Sequence, residues 1–358
     1  MLHDPRVNKL ADILVNYSTR VKKGDTVSIS GPDSAKPLIL EIYREALKKH
    51  PKEIVTHISF EETQEILYST ATPAQLKQFP QTAMDIVKKT DVWIGIIAPN
   101  NTRNLSGIDP AQMSIHQKTL QPLLNHRVEH TRWVLTAFPT PGQAQEADMS
   151  LNAFSDFIFS TMIDVDWAGM IKKQNSLAKR FESSSIVRIV GEDTDLSMSI
   201  KGRKVVADNG EANMPGGEVF TSVVEDSAEG YIHYTYPAIY GGNEVDGVKL
   251  WFEKGKVVKA TAKKGEAFLN HMLDMDQGAR YIGELGIGNN FKINKFIKSI
   301  LFDEKIGGSV HLALGRSYTE TLGKNESALH WDMIKDLRLG GELYLDGTMV
   351  QKDGRWLI

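Results

Sequence analysis

Asp91–Ala98 reads DVWIGIIA, an apolar run of the length a strand needs to cross a parallel sheet covered on both faces. Asn100-Asn101 closes it. Working outward, Thr82–Lys89 before it and Ala111–Leu124 after it have helical spacing, and Thr131–Phe138 (TRWVLTAF) reads as the next strand, ended by Pro139-Thr140-Pro141-Gly142. Further upstream, Val7, Leu10, Ala11, Leu14 and Val15 recur at helical intervals within Arg6–Val21, and Gly24-Asp25 marks a turn. Thr26–Ile29 then reads as a strand, Pro37–Lys48 as an amphipathic helix and Glu53–Phe60 as another strand. Strand and helix in regular alternation predict an open α/β sheet.

Ser30-Gly31-Pro32-Asp33-Ser34, at the end of the first strand, lacks the G-x-G-x-x-G or G-K-[ST] pattern of a phosphate cradle. It reads as a turn with a helix N-cap. Met149–Phe181 is mainly helical, and Phe181–Ser185 (FESSS) marks a boundary that divides the chain into an α/β N-terminal domain, 1–183, and a second domain, 184–358. Beyond Ile186 short β-type runs follow one another between turns, with helices expected only at Lys264–Gln277 and Asn294–Phe302. That texture predicts an α+β domain built on antiparallel strands.

A chain of 358 residues exceeds a typical single core and suits two domains. The net charge of −3 offers no basic field for phosphate backbones, which argues against nucleic-acid and anionic-membrane partners. With no cysteine, disulfides, thiolate metal sites and a cysteine nucleophile are excluded, so any metal site must use oxygen and imidazole. The first residues carry mixed charge on a helical pattern rather than a basic region followed by an apolar core, and no apolar run approaches a membrane span. A cytoplasmic protein is the expectation.

Residues able to carry chemistry concentrate in Ser309–Asp332, SVHLALGRSYTETLGKNESALHWD. His330 and Asp332, two apart on an extended strand, point to one face and combine the side chains that bind borderline and hard divalent ions. Two acids precede them: Glu218, where the turn of NMPGGEVFTS enters a strand, and Glu284, set among apolar residues and glycines in ARYIGELGIG. A carboxylate in such a setting is costly to bury without a cation. Each residue alone also fits a paired strand terminus or a hydrogen-bonded core histidine; their assembly in one domain is what points to a metal centre. His3, His50, His57, His116, His126, His130, His233 and His271 have no acid at ligand spacing and read as surface or core histidines.

Across essentially the whole chain the sequence resembles the thermophilic metallo-aminopeptidase family, of the aminopeptidase T and aminopeptidase S type. The resemblance is carried by NMPGGEVFTS (213–222), ARYIGELGIG (279–288), SVHLALGRSY (309–318) and ALHWD (328–332). It implies a dinuclear metal centre with Glu218, Glu284, His311, His330 and Asp332 as ligands, Glu284 bridging, and the family's catalytic tyrosine at Tyr318. Gly217 stands where larger members carry a second acid before the first ligand. The ions expected are Zn²⁺, Co²⁺ or Mn²⁺. Paired cations make hydroxide available between them near neutral pH and polarise a scissile carbonyl, and one of them can hold a free α-amine.

The implied protein is thus a cytoplasmic metallo-aminopeptidase acting on peptides with a free N-terminus. A homodimer is also implied, in which the α/β domain helps to wall off the active site. The alternatives at this stage are another dimetal amide or ester hydrolase, and a non-catalytic binding protein on the same fold.

Overall fold

The computed structural model describes residues 4–358; of the histidines named above, His3 lies outside them. The chain forms two compact units, one reaching to Val165 together with Gly210–Gly216, the other comprising Asp166–Asn209 and Gly217–Ile358. The helix Trp167–Glu182 belongs to the second unit, ahead of the 183/184 division, because Ala178 and Phe181 bury in that unit's core. Among the described residues no helix is long and apolar enough to cross a membrane.

The first unit is built on a parallel sheet of order β2-β1-β3-β4-β8, with β1 at Thr26–Pro32, β2 at Glu53–Ser59, β3 at Val92–Ile97, β4 at Arg132–Ala137 and β8 at Asn213–Met214. The apolar run that predicted a covered strand is β3, and Val92, Ile94 and Ile96 are buried in it. Helices Lys36–Leu47 and Pro110–His130 lie against β1 and β4. Strand β1 continues through Pro32 into a short 3-10 turn, Asp33–Ala35. The expected side-chain N-cap does not form there: Ala35 occupies the cap and Ser34 instead donates to the Ala98 carbonyl at 2.5 Å. Helices Glu61–Thr70 and Pro141–Glu146 appear where no helix was read.

The second unit holds two larger antiparallel sheets. The first, in the order β14-β13-β10-β6-β5-β18-β19-β20, comprises β5 (Ile186–Gly191), β6 (Thr194–Ser199), β10 (Glu229–His233), β13 (Lys249–Glu253), β14 (Lys256–Thr261), β18 (Glu342–Leu345), β19 (Thr348–Lys352) and β20 (Arg355–Trp356). A small hairpin, β11 (Ala238–Tyr240) with β12 (Asn243–Val245), stands apart from both. The other sheet runs β17-β16-β15-β9-β7, with β7 at Val205–Asp208, β9 at Glu218–Thr221, β15 at Ile282–Gly288, β16 at Ser309–Gly315 and β17 at His330–Asp336.

A single apolar core draws on both sheets. Val187, Ile189, Leu196 and Met198 come from one, and Leu285, Ile287, Val310, Leu312, Leu314, Trp331 and Met333 from the other. The period of two along a strand then sends the alternate residues of β15, β16 and β17 to the opposite face. Those alternates are Glu284, Gly286 and Gly288, then His311, Ala313 and Gly315, then His330 and Asp332.

The expected helix at Asn294–Phe302 shrinks to Ile300–Asp303. Ile293 and Ile297 are both buried and mimic helical spacing, yet the carboxylate of Asp303 accepts from the backbone N–H of Ile297 at 2.8 Å and of Ser299 at 2.7 Å. Those two amides are thereby withdrawn from any helical ladder, and Lys298 sits at φ 59°. Lys264–Gln277 keeps its helix over Glu266–Leu273.

Candidate metal centre

Four neighbouring strands each contribute to one face: Glu218 from β9, Glu284 from β15, His311 from β16, and His330 with Asp332 from β17. Every one of these side chains has a residue without bulk directly across the ladder. Gly288 faces Glu218, Gly286 faces His311, Ala313 faces both Glu284 and Asp332, and Gly315 faces His330. A Cβ built on Gly286 would fall 2.0 Å from Cε1 of His311, so the imidazole occupies the space the glycine leaves. The IGELGIG and HLALG runs are therefore an alternation of donors and gaps.

The two imidazoles are clamped alike. Nδ1 of His311 lies 3.1 Å from the Glu304 carbonyl and Nδ1 of His330 lies 2.8 Å from the Arg316 carbonyl. A carbonyl only accepts, so Nδ1 carries a hydrogen in both rings and each Nε2 is turned inward, the orientation that carbonyls behind a site impose on histidine ligands. Nε2 of His311 is 3.4 Å from Glu218 Oε2 and 3.4 Å from Glu284 Oε1. Nε2 of His330 is 3.4 Å from Glu284 Oε2 and 3.7 Å from Asp332 Oδ2. Glu284 thus spans the two rings with one oxygen toward each.

Burial would push the Glu284 carboxyl up, but its hydrogen bonds to His311 and His330 hold it down at about 2. Burial would likewise lower the imidazoles, and the carboxylates around them, Glu284 foremost for His311 and Asp332 for His330, reverse this to about 10 and about 9. Burial raises Glu218 to about 8 and Asp332 to about 6, against the pull of the neighbouring cations. The cation-free centre therefore stores protons at neutral pH. A divalent ion has to displace them, so metal uptake is expected to release protons and to tighten as pH rises from 6 toward 10. Isothermal titration in two buffers of different ionisation enthalpy measures this release; buffer-independent heats would refute it.

Whether these residues fit a metal can be judged from their unsatisfied atoms. Glu218 Oε2 and Asp332 Oδ1 are buried and accept no hydrogen bond, a costly state for an anion unless a cation supplies the missing partner. Donor atoms of Glu218, Glu284 and His311 lie within 4.8 Å of one another, as do those of Glu284, His330 and Asp332. An all-oxygen-and-imidazole set of this kind suits borderline and hard divalent ions. The residues fit.

Tyr318 follows the turn at Gly315, where φ is 98°, and its hydroxyl lies 3.3 Å from Nε2 of His330. Its ring packs on Phe220 with centroids 5.9 Å apart, and burial raises the phenol well above its ordinary range, so the hydroxyl remains a donor.

Three further residues escaped the sequence reading. Glu304 groups with His311 and Asp332, their donor atoms again within 4.8 Å. Lys305 is fully buried beside Glu218, and Asp208 pairs with Glu218 across β7 and β9. Nothing in the local FDEKIGG pattern separates Glu304 and Lys305 from an ordinary charged turn, nor Asp208 from an ordinary strand end; only the tertiary fold brings them in.

Gly217 precedes Glu218 at φ 116°, and a Cβ there would fall 2.6 Å from Cβ of Asn290. An acid at this position would be strained as well as crowded. Gly217→Ala is expected to destabilise by about 2 kcal/mol or more, read as a thermal midpoint lowered by several degrees. An unchanged midpoint would show that the backbone relaxes freely.

Fold and side chains together define a protein with a candidate divalent-metal centre. The pattern of the thermophilic metalloprotease (M29) family matches residues 3–356, and the chain belongs to that family, which implies a divalent metal. Aminopeptidase 2 of Geobacillus stearothermophilus is 25% identical over 98% of this chain and 95% of its own length. The structure of wild-type AmpT from Thermus thermophilus superposes with a TM-score of 0.87 at 22% identity, covering 99% of both chains. A 2,5-dihydroxypyridine dioxygenase from Pseudomonas putida shares the fold at a TM-score of 0.65 and 14% identity, over 98% of this chain and 96% of that one.

Proposed function

We propose that this protein is a metallo-aminopeptidase that removes N-terminal residues from peptides at a dinuclear centre held by Glu218, Glu284, His311, His330 and Asp332. The observation that carries the reading is Glu284, which belongs to two of the three donor groups and points one oxygen at each imidazole. Relatives of matching length named as aminopeptidases support the choice of substrate. When bound, two divalent ions would supply Lewis acidity and would acidify a bound water. The carbonyl-anchored histidines keep both Nε2 atoms aimed inward without rearrangement. Tyr318 brings a neutral hydroxyl to the edge of the site, where it donates to the oxyanion that develops on the scissile carbonyl. A cytoplasmic location and a homodimer belong to the same reading, the homodimer on the resemblance alone.

Treatment with a chelator is expected to abolish hydrolysis of an aminoacyl p-nitroanilide, and Zn²⁺, Co²⁺ or Mn²⁺ to restore it. N-acetylation of the same substrate is expected to prevent cleavage, and a phosphate ester to remain intact. Chelator-resistant turnover, or equal rates on the blocked substrate, would overturn the proposal.

A further inference from the structure

We infer that Lys305 is a built-in counter-cation of the metal centre, a positioning residue that holds one oxygen of Glu218 away from the donor face and sets how much divalent charge the site accepts. This rests on the metal reading given above and deepens it. The side chain of Lys305 is 0% exposed, and its Nζ lies 3.2 Å from Glu218 Oε1 and 3.7 Å from Asp208 Oδ2. It also donates to Oε1 of Glu304. Glu218 is consequently divided: Oε1 faces the ammonium, while Oε2 faces Nε2 of His311 at 3.4 Å and accepts no hydrogen bond. The fixed orientation leaves one oxygen of this carboxylate for an ion.

Charge leads to the same assignment. Asp208, Glu218, Glu284, Glu304 and Asp332 bring five carboxylates together in this part of the unit. Against the single ammonium of Lys305 they leave a formal charge of −4, the charge that two divalent cations neutralise while both imidazoles stay uncharged. A purely apolar packing role would be filled better by methionine or leucine, since an ammonium taken out of water is unstable without carboxylates to match it. Lys305 has three of them, two of which also face the candidate centre. The ammonium therefore competes with divalent ions for the same carboxylates.

The test compares wild type with Lys305→Met, Lys305→Arg and Asp208→Asn, each stripped of metal, checked for folding by circular dichroism and titrated with Co²⁺ by calorimetry and by its visible d–d spectrum. Lys305→Arg is expected to bind Co²⁺ within about threefold of wild type. Lys305→Met, freed of the competing charge, is expected to bind at least about tenfold tighter or to take up an additional ion, with an altered spectrum as both oxygens of Glu218 become available. Asp208→Asn, which leaves the ammonium less neutralised, is expected to bind several-fold more weakly.

If Lys305→Met fails to fold, the double variant Lys305→Met with Asp208→Asn keeps the net charge of the wild type and is expected to return its affinity to within about threefold. Lys305→Met binding more weakly than wild type, or Lys305→Met and Asp208→Asn both matching it, overturns the assignment. A wild-type protein that takes up no Co²⁺ overturns the metal reading itself and this assignment with it.

Discussion

Glu284→Gln is expected to lose metal and activity together, with kcat/KM falling by about a thousandfold or more, roughly 4 kcal/mol of transition-state stabilisation. The amide copies the shape of the carboxylate but not its charge, and it replaces one acceptor oxygen by an N–H₂ group aimed at an imidazole nitrogen. Because the two oxygens of Glu284 stand 3.4 Å from His311 and 3.4 Å from His330, both halves of the centre are damaged by one substitution. The backbone of β15 is held by its ladders to β9 and β16, so the fold is expected to survive. Metal analysis of dialysed protein, alongside hydrolysis of an aminoacyl p-nitroanilide, checks the result. A variant with full metal content and full rate would remove Glu284 from the centre.

Tyr318→Phe separates the hydroxyl from the ring. The ring's contacts with Phe220 and with His330, at a centroid distance of 5.0 Å, are retained, so metal content and stability are expected to stay at wild-type levels. What disappears is a neutral donor at the site's edge, and kcat is expected to fall by about 10²–10³, or about 2.7–4 kcal/mol, with little change in KM. The effect belongs to the transition state because a hydrogen bond to a developing oxyanion strengthens as charge accumulates. An unchanged kcat would leave Tyr318 as a packing residue.

The two substitutions differ in their readouts. Glu284→Gln moves metal content and rate in parallel, whereas Tyr318→Phe moves rate alone. A protein that used these residues only to bind a ligand would show neither pattern in turnover.

Sequence by itself determined the sheet class of both units, through the apolar run 91–98 and the short β-type runs beyond Ile186, because burial on two faces and burial on one face leave different periodicities. It also singled out Glu218, Glu284, His311, Tyr318, His330 and Asp332, through a resemblance carried by four short segments. Local spacing misled at Asn294–Phe302, where Ile293 and Ile297 sit four residues apart as in a helix while Asp303 takes the backbone amides of Ile297 and Ser299. Only the tertiary structure decided which residues share the face of the centre. Asp208, Glu304 and Lys305 reach it through ladders and turns that join positions nearly a hundred residues apart, and a one-dimensional pattern holds no record of such pairings. The same is true of the Arg316 and Glu304 carbonyls that orient the histidines, since a backbone oxygen has no signature in the sequence.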